Sequence, residues 1–201
     1  TEKGVHLYAA VADSKGRLWY TETHGNRLGM LDPASGETFE FDMPHAHVGP
    51  KRLAIDPDDV LWIPELATGK IDVYDTRARR FTDRLSLPIP GDFPYGIRRN
   101  RHTGDLWVTG SGSDSLYRLD PKTKRFTVYR LPRLGAYTRT VAFDEQGYVW
   151  TNYASFPNPD PTPASCSTTT SCPRWTSSSA PAGVSATRYS RGLISLATPI
   201  R

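Results

Sequence analysis

Two glutamates, Glu22 and Glu65, each stand three residues beyond a tryptophan, Trp19 and Trp62. Carboxylates at equivalent points of adjacent copies of one unit could share a hard cation such as Mg²⁺, which takes oxygen ligands. His45 and His47 also invite a metal reading, because alternate residues of a strand share a face. They follow the Met43-Pro44 step, however, and read as a connecting loop with no third ligand in reach along the sequence. Cys166 and Cys172, the only cysteines, form a Cys-x5-Cys pair without nearby histidines. That is not a zinc pattern; it suits a small disulfide loop in an oxidising compartment, and the compartment stays open. The sequence holds no Gly-x-Ser-x-Gly elbow, phosphate-binding loop or Cys–His pair.

The elements that must position these side chains follow from an internal period. Trp19, Trp62, Trp107 and Trp150 recur at spacings of 43, 45 and 43, and Asp13, Asp56, Asn100 and Asp144 precede them in step. Downstream, Asp32, Asp75 and Asp120 each end a short apolar strand, followed by Phe39, Phe81 and Phe126. Met43-Pro44, Leu87-Pro88 and Leu131-Pro132 close the copies. Alternating apolar residues separated by turn sequences such as Pro33-Ala34-Ser35-Gly36 give four short strands per copy. Four strands per period of about 44 residues make the blade of a β-propeller. A solenoid or stacked sandwich is the alternative architecture. The tryptophans are expected to pack between neighbouring blades, since one blade cannot bury its own face.

The predicted fold is therefore all-β: complete repeats at about 6–50, 51–94 and 95–138, and a partial fourth at 139–158. From Pro157 the composition shifts to Ser, Thr, Pro and Ala, and no repeat anchor recurs. Residues 159–201 are expected to be disordered or foreign to the fold, as a linker or an out-of-frame stretch. Three and a fraction blades imply a fragment of a larger propeller. The formal charge of +4 does not mark a nucleic-acid surface. Residues 1–158 carry 21 of the 25 Lys and Arg and 20 of the 21 Asp and Glu, so the excess sits in the tail rather than in a stripe. No apolar run is long enough to span a bilayer and no signal peptide is visible, which leaves cytoplasmic and exported locations open.

The copies resemble the streptogramin (virginiamycin B) lyase repeat. Gly16-Arg17-Leu18-Trp19-Tyr20-Thr21-Glu22 with Gly25-Asn26-Arg27-Leu28-Gly29 matches it best, and Pro94-Tyr95-Gly96-Ile97 leading to Leu106-Trp107-Val108-Thr109 comes second. The resemblance covers about residues 5–155. It implies a seven-bladed propeller and a carbon–oxygen lyase that opens the ester of a cyclic depsipeptide antibiotic by elimination, an antibiotic-resistance activity. It also implies a histidine base, a Mg²⁺ that stabilises the developing negative charge, and a small-molecule or peptide ligand in the channel. Other propellers, gluconolactonase-like hydrolases among them, share Gly-x-Leu-Trp repeats, and a binding or scaffold propeller without an active site is a further alternative.

In that family the histidine stands eleven residues before the tryptophan, at the start of a blade's inner strand, and the glutamate three residues after it. The first position is Tyr8, Lys51, Tyr95 (with one inserted residue) and Arg139; the second is Glu22, Glu65, Gly110 and Tyr153. No copy pairs His with Glu, so no catalytic residue is assigned. Tyr8, Glu22, Lys51, Glu65, Tyr95 and Arg139 are the candidates expected to face the channel, with Glu22 and Glu65 as the metal candidates.

Overall fold

The computed structural model describes residues 6–132 and 135–152, together with the backbone of 185–186 and 193–197. Each of the three full repeats folds as a four-stranded antiparallel meander. The first holds β1 (Leu7–Ala12), β2 (Leu18–Glu22), β3 (Arg27–Leu31) and β4 (Thr38–Asp42). The second holds β5 (Ala54–Ile55), β6 (Val60–Glu65), β7 (Lys70–Asp75) and β8 (Arg80–Ser86). The third holds β9 (Pro94–Arg99), β10 (Leu106–Gly110), β11 (Ser115–Leu119) and β12 (Phe126–Arg130). A fourth sheet begins with β13 (Val141–Phe143) and β14 (Val149–Asn152). The first strands touch in turn, β1 with β5, β5 with β9 and β9 with β13, so the blades converge on these edges.

Two short strands of the tail, β15 (Ser185–Ala186) and β16 (Leu193–Ala197), pair with the fourth sheet, β16 against β14 and β15 against β16. The order β13-β14-β16-β15 is not the meander of the blades. The rest of 159–201, Cys166 and Cys172 included, lies outside the described residues.

The core lies between blades, as the repeat requires. Trp19, Leu28 and Met30 meet Leu61, Ile63 and Tyr74 across the first junction. Trp62, Ile71 and Val73 meet Leu106, Val108 and Tyr117 across the second. Trp107 and Leu116 meet Val141 and Val149 across the third. Trp19, Trp62 and Trp107 are buried, while Trp150, in the last described repeat, is half-buried.

The aspartate that precedes each tryptophan is explained by a bond back to it. Trp19 Nε1 donates to Asp13 at 2.9 Å, Trp62 Nε1 to Asp56 at 3.1 Å and Trp150 Nε1 to Asp144 at 2.8 Å. The same carboxylates accept backbone N–H groups of the intervening turn. Burial raises the pKa of Asp13, but the bonds from Trp19, Arg17 and the turn outweigh it and hold the group below its usual range. In the third copy Asn100 replaces aspartate, and Trp107 Nε1 makes no hydrogen bond among the described residues. Asp13→Ala leaves a buried indole N–H and an unsupported turn, and should cost about 2 kcal/mol in urea unfolding.

Candidate functional site

Two β-bulges aim the tyrosines of the strand-start positions. In β1 the register against β2 shifts between Leu7 and Ala10, around Tyr8. In β9 the register against β10 shifts by the same step, around Tyr95. A bulge re-aims its side chain, and here it turns both phenols toward one point. Gly96 follows Tyr95 because a Cβ there would lie 2.6 Å from the carbonyl oxygen of Arg139.

The strand-start residues of all four repeats form one cluster. The hydroxyls of Tyr8 and Tyr95 are hydrogen-bonded to each other, with the rings edge-on at 5.9 Å. Lys51 Nζ, from the blade between them, sits 4.7 Å from the Tyr8 ring centre and 5.7 Å from that of Tyr95. The Arg139 guanidinium lies 5.7 Å from the Tyr95 ring and 4.9 Å from Tyr137. Thr21 and Thr23 fix the Lys51 segment to the first blade, donating to the carbonyls of Lys51 and Pro50 at 2.6 and 2.7 Å. Burial first, then the hydrogen bond and charge of Tyr95, raise the Tyr8 hydroxyl to about 12. The cluster thus offers phenol faces, a protonated hydroxyl and two cations attracted to ring faces.

Glu22 and Glu65 are not part of it. Both side chains are fully buried, each inside its own blade. Glu22 Oε2 accepts from Arg27 Nε at 2.9 Å, and a Cβ on Gly25 would lie 2.7 Å from that oxygen, so the carboxylate is tucked under its own turn. Glu65 is gripped by Arg84 through both oxygens, at 2.9 and 2.6 Å, and accepts from the Thr68 hydroxyl. Burial pushes Glu65 up, but its bonds to Arg84, Asp72 and Thr68 win and hold it below its usual range. Two carboxylates held by arginines of separate blades do not fit a shared Mg²⁺ site. Among the described residues no group of His, Cys, Asp or Glu is arranged to hold a metal ion. Lys51 and Arg139 form no ion pair among the described residues.

The third blade keeps a buried carboxylate by another route. Gly110 stands where Glu22 and Glu65 stand, and Asp92, from the loop before β9, occupies the freed space. Asp92 accepts from Phe93 N, Gly112 N, Ser113 Oγ and the Tyr117 hydroxyl. Sequence spacing did not single out Asp92 or Tyr137, which come from inter-blade loops. Nor did it single out His6 and His24, whose exposed rings meet at 4.8 Å. His45 and His47 lie in the exposed connection after β4, as expected.

The sequence matches the profile of the virginiamycin B lyase family over residues 1–188. The chain belongs to the virginiamycin B lyase family. The fold agrees with solved structures of that kind. A catalytically inactive His-to-Ala variant of the virginiamycin B lyase from Staphylococcus aureus, with quinupristin, is 21% identical at a TM-score of 0.68, covering 75% of this chain and 50% of that one. The selenomethionine-substituted lyase from the same organism is 24% identical at a TM-score of 0.69, covering 82% and 59%. A streptogramin B lyase is 24% identical at a TM-score of 0.66, covering 76% and 52%. The chain thus spans between half and three-fifths of the length of these virginiamycin B lyase family structures. No curated protein matches the sequence. Among the described residues no helix is long and apolar enough to cross a membrane.

Proposed function

We propose that this chain forms a ligand-binding wall of a carbon–oxygen lyase that opens a cyclic depsipeptide antibiotic, and that it does not supply the base for the elimination. The observation that carries this is the convergence of Tyr8, Lys51, Tyr95 and Arg139 on one point. Exposed or half-buried phenol faces suit a ligand with aromatic and apolar side groups. In elimination a base takes a carbon-bound proton while the carbon–oxygen bond breaks and its electron pair leaves on oxygen. Lys51, Arg139 and the protonated Tyr8 hydroxyl can meet that developing negative charge. The Tyr8 hydroxyl is not suited to take the proton: efficient bases titrate near the working pH, and it is held at about 12. The relative that carries quinupristin supports the ligand class.

The test uses the 201-residue chain and quinupristin. Quenching of protein fluorescence should report binding that weakens about tenfold in Tyr95→Ala, the usual loss when one good aromatic contact goes. Mass spectrometry should find no isomer of unchanged mass. Ring opening by the chain would overturn the assignment of roles, and its loss in His6→Ala or His24→Ala would locate the base in the exposed histidine pair. Absence of binding would favour the scaffold reading.

A further inference from the structure

Beside the first strands of the blades lies an open groove of about 390 Å³, lined by Ala10, Ile97, Arg52, Arg98, Arg99 and Arg101 among others; Arg52, Arg98 and Arg101 are exposed and Arg99 is half-buried. A second hollow of about 270 Å³ shares the last three arginines and adds His102. None of the residues lining the first groove is acidic. The single acid of the second, Asp144, is engaged by Trp150 and its own turn.

These arginines differ from four others in the blades. Arg17, Arg27, Arg84 and Arg118 each meet a carboxylate within 2.6 to 2.9 Å. Arg52, Arg98, Arg99 and Arg101 form no ion pair among the described residues. Arg98 has a 3.5 Å contact to the Val141 carbonyl, and Arg99 Nε is buried with no partner. Like charges gathered beside one groove repel each other and attract an anion. Guanidinium groups present paired donors that match carboxylate and phosphate oxygens.

We propose that this groove is an oxyanion site, built to hold the phosphate or carboxylate groups of a small polyanionic ligand. It uses different residues from the tyrosine cluster, and it does not depend on the lyase reading.

The test titrates the chain with pyrophosphate and, separately, with citrate, each against potassium chloride at matched ionic strength. Calorimetry should give saturable binding of at least one of them, accompanied by a rise in melting temperature that chloride does not produce. Tighter binding of pyrophosphate would assign a phosphate ligand; tighter binding of citrate, a carboxylate. Arg98→Gln and Arg52→Gln should each weaken the preferred anion by about tenfold, the loss expected for a charge-assisted hydrogen bond. If a Gln variant fails to fold, Arg98→Lys keeps the charge and removes the fork, and should weaken binding by a smaller factor. An effect of both anions no greater than that of chloride, or binding unchanged in the Arg98 and Arg52 variants, would overturn the proposal.

Discussion

Arg84→Met is expected to destabilise the chain by about 3–5 kcal/mol at neutral pH, as when one partner of a buried ion pair is removed. Arg84 on β8 is the only arginine that the described structure places against two buried carboxylates, Glu65 on β6 and Asp72 on β7. Asp72 stands directly between the other two strands, opposite Ile63 on one side and Arg84 on the other. Methionine fills much the same volume, so packing survives while the charge is lost. The double variant Glu65→Gln with Arg84→Met should recover most of the stability, which urea unfolding of both variants can measure.

One cation cannot satisfy two buried anions, so the pair keeps a proton. Burial first, and then the Glu65 carboxylate beside it, raise Asp72 from 3.8 to about 8. The native state therefore holds a proton that the unfolded chain releases near its ordinary pKa. Stability from this group is complete below about pH 4 and falls as the pH climbs toward 8. Asp72→Asn mimics the protonated form and should flatten that slope, leaving the variant more stable than the parent at pH 9. A parallel slope in both proteins would show that Asp72 is already ionised at neutral pH.

The blades were legible because the acidic anchor and the tryptophan of the first, second and fourth copies are bonded to each other. Asp13 and Trp19 lie six positions apart and touch, so selection for the contact leaves a periodic trace. The strand-start cluster follows from the same repetition: equivalent positions of successive blades lie near one another, which brings Tyr8, Lys51, Tyr95 and Arg139 together. What spacing could not supply was direction. Glu22 and Glu65 stand at equivalent places in their repeats, yet their partners sit on β3 and β8, five and nineteen residues away. Those arginines are not equivalent to each other, since Arg27 opens β3 and Arg84 lies within β8. A period can align two glutamates without revealing that each points into its own blade.

Gly110→Ala is expected to cost about 3 kcal/mol, at the upper end for an added methyl in a packed core. A Cβ at this position would lie 2.1 Å from Asp92 Oδ2 and 2.6 Å from the Tyr117 ring. Neither neighbour can give way easily. Asp92 is held by Phe93 N at 2.7 Å, Gly112 N at 2.8 Å and Ser113 Oγ at 2.5 Å, besides the Tyr117 hydroxyl. Burial, and then the bond to Asp92, keep that hydroxyl protonated far above its usual range, so it is a fixed donor. Moving the carboxylate would leave buried donors without an acceptor, which adds to the steric cost. Asp92→Gly alone should also destabilise, by about 2 kcal/mol, because it strips the same donors. Combined, the two changes should cost less than their sum, since the added methyl then enters the space the carboxylate has left. Urea unfolding of the parent, both single variants and the double variant measures this coupling. Strict additivity would mean that Asp92 does not occupy the volume that Glu22 and Glu65 fill in the other blades.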